Sequence, residues 1–74
     1  MFTTSRYASP TAREMARRIS AEAGEPFLSR GKHTIDQLAW IARRKGERHI
    51  FIVEESKVMS IEVDETGKWR WVDQ

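Results

Sequence analysis

Arg30, Gly31 and Lys32 set two cations on either side of a glycine, at the foot of a segment that Thr34 can cap as a helix. The apolar pair Phe27-Leu28 precedes them, so the order is strand, basic turn, helix. Cations beside free helix N–H groups stabilise an anion such as a phosphate. The opening of the chain repeats the arrangement. Phe2-Thr3-Thr4 reads as a strand, Ser5-Arg6-Tyr7-Ala8 as a turn and Ser9-Pro10 as a helix start. The chemistry this pattern offers is anion binding. Catalytic groupings are missing from the sequence. Arg30-Gly31-Lys32 has one glycine and lacks the spacing of a phosphate-binding loop. His33 and His49 are single and far apart, which suits neither a metal pair nor a catalytic dyad. Glu54 and Glu55 are adjacent, so on a strand they point to opposite sides. No catalytic residue, metal site or cofactor is expected.

Charge favours the same end of the chain. Residues 1–48 hold ten Lys or Arg against five Asp or Glu, a balance of +5; residues 49–74 hold three against six, a balance of −3. A basic patch suits an acidic partner, of which nucleic acid is the commonest, or else is a solvated arginine-rich surface. At 74 residues the chain is one domain, 1–74. Domains of this size bury only about 60 % of their unfolded surface, so a binding surface is easier to build than a deep pocket. The absence of cysteine excludes disulfide staples and suits a reducing compartment. No apolar run approaches the roughly 20 residues of a membrane span, and no signal-peptide core follows Met1, so a cytoplasmic location is expected.

The elements that must position the basic turns can be read in order. Ser9 and Pro10 are preferred residues for a helix cap and first turn. Ala12, Met15, Ala16, Ile19 and Ala23 recur at helical spacing, and Gly24 ends the helix. Arg13 and Arg17 lie on a flank of it with no acidic residue at matching spacing. Thr34 and Gln37 make a capping box for a second helix, with Ile35, Leu38, Ala39 and Ala42 turned to the core and Gly46 closing it. Trp40 falls opposite that stripe with Arg44 one turn on, an aromatic available to a base or a protein partner. His49-Ile50-Phe51-Ile52-Val53 is nearly all apolar and reads as a central strand buried on both faces. Lys57 to Val63 and Lys68 to Val72 alternate around a Glu65-Thr66-Gly67 loop. That register sets Val63 against Trp69, Ile61 against Trp71 and Glu62 against Arg70.

The expected fold is α/β, in the order β-α-β-α-β-β-β, with a mixed five-stranded sheet of strand order 2-1-3-4-5, one helix on each face and a C-terminal β-hairpin. Right-handed crossovers of opposite direction leave a switch point beside the first strand, where ligands of open α/β sheets bind. Ser5, Arg6, Arg30, Gly31, Lys32 and His33 lie there, and Arg13 and Arg17 extend the patch. Val58 and Val72 fall on the sheet face away from the two hairpin tryptophans. With Trp40 they are expected to form an interface, either a homodimer contact or a docking surface on a larger assembly.

Thr3-Thr4-Ser5-Arg6, the first helix, Phe27-Leu28-Ser29-Arg30-Gly31-Lys32, the second helix with Leu38, and Ile50-Phe51-Ile52-Val53-Glu54 together resemble the N-terminal half of a Brix domain. The resemblance covers roughly residues 2–55. Archaeal and eukaryotic members of that family act in ribosome biogenesis and bind precursors of ribosomal RNA, and each half is similar to the anticodon-binding domain of class II aminoacyl-tRNA synthetases. The resemblance implies non-catalytic binding of ribosomal RNA during ribosome biogenesis or rRNA processing, with ribosome-assembly proteins as further partners. A Brix domain has two such halves and this chain has one.

Overall fold

Three residues, β1 (Phe2–Thr4), lie between two other segments of the chain, and the rest of the molecule is arranged around them. The computed structural model describes residues 1–72. After β1 come α1 (Pro10–Ala23), α2 (Ile35–Arg44), β2 (His49–Val53), β3 (Val58–Val63) and β4 (Trp69–Trp71). β1 pairs parallel with β2, β2 antiparallel with β3, and β3 antiparallel with β4, in the order β1-β2-β3-β4. The sheet is therefore mixed and four-stranded, where five strands in the order 2-1-3-4-5 were expected. Phe27 makes one parallel bridge to Phe2 on the free side of β1. Two hydrogen bonds hold it, Phe2 N to Pro26 O at 2.9 Å and Leu28 N to Phe2 O at 2.8 Å. Pro26 has no N–H to extend the ladder upstream. Downstream the chain turns at once through Arg30 and Gly31, with Gly31 at φ 52°. Two apolar residues between such breakers are too few for a strand.

The helix ends form as their sequences dictate. The Ser9 hydroxyl accepts from Ala12 N at 3.1 Å, with Pro10 in the first turn. Thr34 and Gln37 bond reciprocally, at 3.2 Å and 2.9 Å, in a full capping box. The two helices take opposite faces of the sheet because β2 alternates between them. Ile50 and Ile52 pack with Leu38, Ala39 and Ala42 of α2, together with Met1, Ile61 and Val63. Phe51 and Val53 pack with Ala16, Met15 and Ile19 of α1, together with Phe2 and Phe27. The buried stripe of α1 is completed by Ser20 and not by Ala23, which is exposed. The Met1 α-ammonium reaches Glu25 at 2.9 Å and Glu47 at 3.0 Å. Among the described residues no helix is long and apolar enough to cross a membrane.

The hairpin register is the expected one, with Ile61 opposite Trp71, Glu62 opposite Arg70 and Val63 opposite Trp69. Gly67 sits at φ 86°, and the Asp64 carboxylate accepts from Thr66 N and Lys68 N to close the loop. Arg70 bonds Glu62 at 2.7 Å and, by that hydrogen bond first and its charge second, holds the Glu62 carboxyl below the usual range. Trp71 shares the α2 face with Trp69 but remains 48 % exposed. β4 is the edge of the sheet and extends past the helix, so only Trp69 is drawn against the core, where its Nε1 donates to Asp36 at 2.6 Å. Leu38→Ala is accordingly expected to cost about 2–5 kcal/mol, since Leu38 is wholly buried. Trp71→Ala should cost less, because about half of that ring is already in water. Urea melts of the two variants check the ranking, and equal losses would contradict this packing.

Candidate nucleic-acid interface

β1 and the Phe27 segment run parallel, so both leave the sheet at the same edge. Ser5 and Arg6 follow one, and Ser29, Arg30 and Gly31 follow the other. α1 starts at that edge and runs back across the sheet, which puts its first turns, with Arg13 and Arg17, over the same place. The result is a surface hollow of ≈ 540 Å³ lined by Arg6, Arg13, Arg17 and Arg30, with Thr4, Ser5, Ala8, Phe27, Ser29 and Gly31. No acidic residue lines it among the described residues. Six of the eight expected anion-site residues thus come together: Ser5, Arg6, Arg13, Arg17, Arg30 and Gly31. Lys32 and His33 are not among its lining residues.

Three of the four arginines are set by different contacts. Arg30 is half-buried and turned inward. Its Nε donates to His33 O at 2.8 Å and its Nη1 to Thr4 O at 2.9 Å. A guanidinium carries five N–H donors, so this clamp leaves others available. The Arg17 guanidinium lies over the Phe27 ring at 5.5 Å, and that of Arg6 lies 6.0 Å from the Tyr7 ring. Arg13 is exposed and has no ion pair among the described residues. Burial first and the Arg6 charge second push the Arg30 guanidinium below the usual arginine pKa. Two cations held this close repel each other, and an anion placed between them removes that cost.

The start of α2 lies outside the arginine hollow. Its capping box takes up the N–H groups of Thr34 and Gln37, and Asp36 puts a carboxylate in the first turn. Lys32 is exposed at the turn, outside the hollow. A second hollow of ≈ 460 Å³, lined by Arg48, His49, Glu62, Val63, Asp64, Lys68, Trp69 and Arg70, mixes both signs. Glu62 there serves both Arg70, at 2.7 Å, and His49, at 3.5 Å, so that surface neutralises itself.

The three expected interface residues are not collected on one surface. Trp40 is 53 % exposed, and part of its ring is covered by Gly67 and by Arg43, whose guanidinium lies 5.4 Å from the ring centre. Arg43, and not Arg44, is its cationic neighbour, because Arg43 is anchored to Glu65 O of the hairpin loop. Val58 and Val72 lie on the face of the sheet opposite α2, beside Ser60, Glu62 and Arg70. One residue at the basic edge has no counterpart in the sequence reading. Tyr7 is 91 % exposed in the turn after β1. Its only sequence signal is an aromatic in a turn with no apolar partner at either helical or strand spacing.

No family model matches the chain, and no curated protein matches it. A solved structure similar to it is that of Mil, an archaeal Imp4-like protein. The two superpose with a TM-score of 0.73 at 26 % identity, over 93 % of this chain. The chain spans 46 % of the length of that protein, about half.

The inward Arg30 clamp gives a test independent of any ligand. Arg30→Ala removes the donors to Thr4 O and His33 O, and is expected to cost about 1–3 kcal/mol. Lys32→Ala, on an exposed side chain, should stay within about 0.5 kcal/mol of wild type. Denaturant midpoints measure both, and equal stabilities for the two variants would contradict the clamp.

Proposed function

We propose that the chain is a non-catalytic RNA-binding module acting on ribosomal RNA or its precursor in ribosome biogenesis, in a cytoplasm. The observation that carries this reading is the convergence of Arg6, Arg13, Arg17 and Arg30 on one hollow with no acid among its described lining residues. Arginine matches phosphate geometry through its planar fork of donors. Contacts of this kind supply affinity and position and carry no sequence information directly. Likeness to an Imp4-like protein supports the ribosomal context, Imp4 being a Brix-domain protein of ribosome biogenesis. The resemblance of Thr3 to Arg6 and Phe27 to Lys32 to the Brix family supports it from the sequence.

The open sheet face favours a second reading. α1 packs with Phe2, Phe27, Phe51 and Val53, and Val58 on the same face is 38 % exposed. A protein partner, a ribosome-assembly protein or a second copy of this chain, would dock there through apolar contact.

Salt separates the two. RNA binding through the hollow should weaken steeply with added salt, with a slope of about 0.7 per phosphate contact on a single strand. Replacing Arg13 and Arg17 together with Ala is expected to lower that slope by about 1.4 and to leave the fold intact, as both are exposed. Fluorescence anisotropy across a salt series reads the slope. A double variant with wild-type affinity and slope would refute the hollow as the RNA site, and binding to ribosomal components that is indifferent to salt would favour the sheet face.

A further inference from the structure

Tyr7 lies in the chain between Arg6 and Ala8, which both line the arginine hollow, and 91 % of its surface is exposed, which folding alone does not explain. An aromatic ring left in water contributes nothing to the core. Tyr7 itself lines a smaller hollow of ≈ 330 Å³, together with Ser9, Glu54 and Glu55 among others. The two hollows share Ser5 and Ala8, so they are adjacent. Their chemistry is opposed. One has four arginines and no acid; the other has two carboxylates and no cation. A phosphate is attracted to the first and repelled from the second. A neutral base carrying N–H donors suits the second, where carboxylate oxygens accept such donors.

We propose that this pair of hollows takes an unpaired nucleotide of RNA, its phosphate among the arginines and its base stacked on the Tyr7 ring; the inference rests on the RNA-binding reading above. Stacking on a side chain needs a free π-face, which a base offers when it is single-stranded and hides when it is paired within a duplex. The neighbouring Arg6, 6.0 Å from the ring centre, adds a cation at the junction of phosphate and base. The ligand class is thereby narrowed to loops, bulges and single strands. The Glu54 and Glu55 carboxylates limit how far a continuous phosphate backbone can extend past Tyr7. Glu55 is fixed there by the Ser9 hydroxyl, the same group that caps α1.

The test compares a fluorescent short oligouridylate with an RNA duplex of equal length, for wild type, Tyr7→Ala, Tyr7→Phe and the Arg13→Ala/Arg17→Ala double variant. The expected result is tighter binding of the single strand than of the duplex. Tyr7→Ala should lose about tenfold in single-strand affinity, within the range of base–aromatic stacking. It should keep the wild-type salt slope, and Tyr7→Phe should bind as wild type. Because Tyr7 is exposed, far-UV circular dichroism of these variants should match wild type. Tyr7→Ala binding as tightly as wild type, or duplex binding as tightly as single strand, would overturn the inference while the double arginine variant still reports on the RNA reading. Failure of the wild-type protein to bind either RNA would overturn both.

Discussion

Two segments that run parallel must leave a sheet at the same edge, and the basic site of this protein depends on that constraint. β1 is flanked by β2 on one side and by the Phe27 bridge on the other. Its parallel alignment with Phe27 forces the turn at Ser5-Arg6 and the turn at Ser29-Arg30-Gly31 together. Antiparallel alignment would have sent them to opposite ends. The Arg30 guanidinium then fixes the juxtaposition by bonding the last carbonyl of β1, Thr4 O, at 2.9 Å. That one side chain ties the two turns to each other and takes part in the hollow they form. Burial first, and the like charge of Arg6 second, lower the Arg30 pKa. A site that stores repulsion between fixed cations is prepared for an anion.

The rest of the molecule holds this edge in place and leaves its charge uncompensated. The +5 of residues 1–48 and the −3 of residues 49–74 do not cancel through contact at the hollow, whose lining has no acid. Two carboxylates of the acidic half are engaged away from it. Glu62 pairs with Arg70 and His49, and Asp64 closes the hairpin loop. Both carboxyls are held below their ordinary range, Glu62 first by the hydrogen bond from Arg70 and Asp64 first by that from the Thr66 hydroxyl. The concentration of positive charge at this edge thus follows from where the sheet directs its turns more than from the modest net charge of +2.

Local signals in the sequence were followed closely by the structure. Ser9-Pro10, the Thr34–Gln37 box and the Glu65-Thr66-Gly67 loop each specify their own hydrogen bonds within a few residues, and each formed as read. Tertiary outcomes were legible only in part. Phe27-Leu28 looks like a strand by composition, yet Pro26 and Gly31 leave it one bridge long. Trp71 alternates correctly onto the α2 face, but its burial depends on how far the helix reaches along the sheet, which no period in the sequence encodes. Of the residues read at the basic turn, Arg30 and Gly31 line the arginine hollow, while Lys32 and His33 do not. Arg30 turns inward because Thr4 O and His33 O are within reach, Lys32 stays outside the hollow, and α1 supplies Arg13 and Arg17 in its place. The exposed position of Tyr7 was not legible either, since it depends on what lies beside that turn in space.

The central claim is that RNA is held at this edge and not on the hairpin or the open sheet face. Amide chemical shifts of the isotopically labelled protein, followed as a short single-stranded RNA is added, test it residue by residue. The account predicts that the largest changes fall on Ser5, Arg6, Tyr7, Arg13, Arg17 and Gly31, while Gly67, Trp69 and Val72 stay still. Changes concentrated on β3 and β4, with the residues around the arginine hollow unmoved, would contradict it.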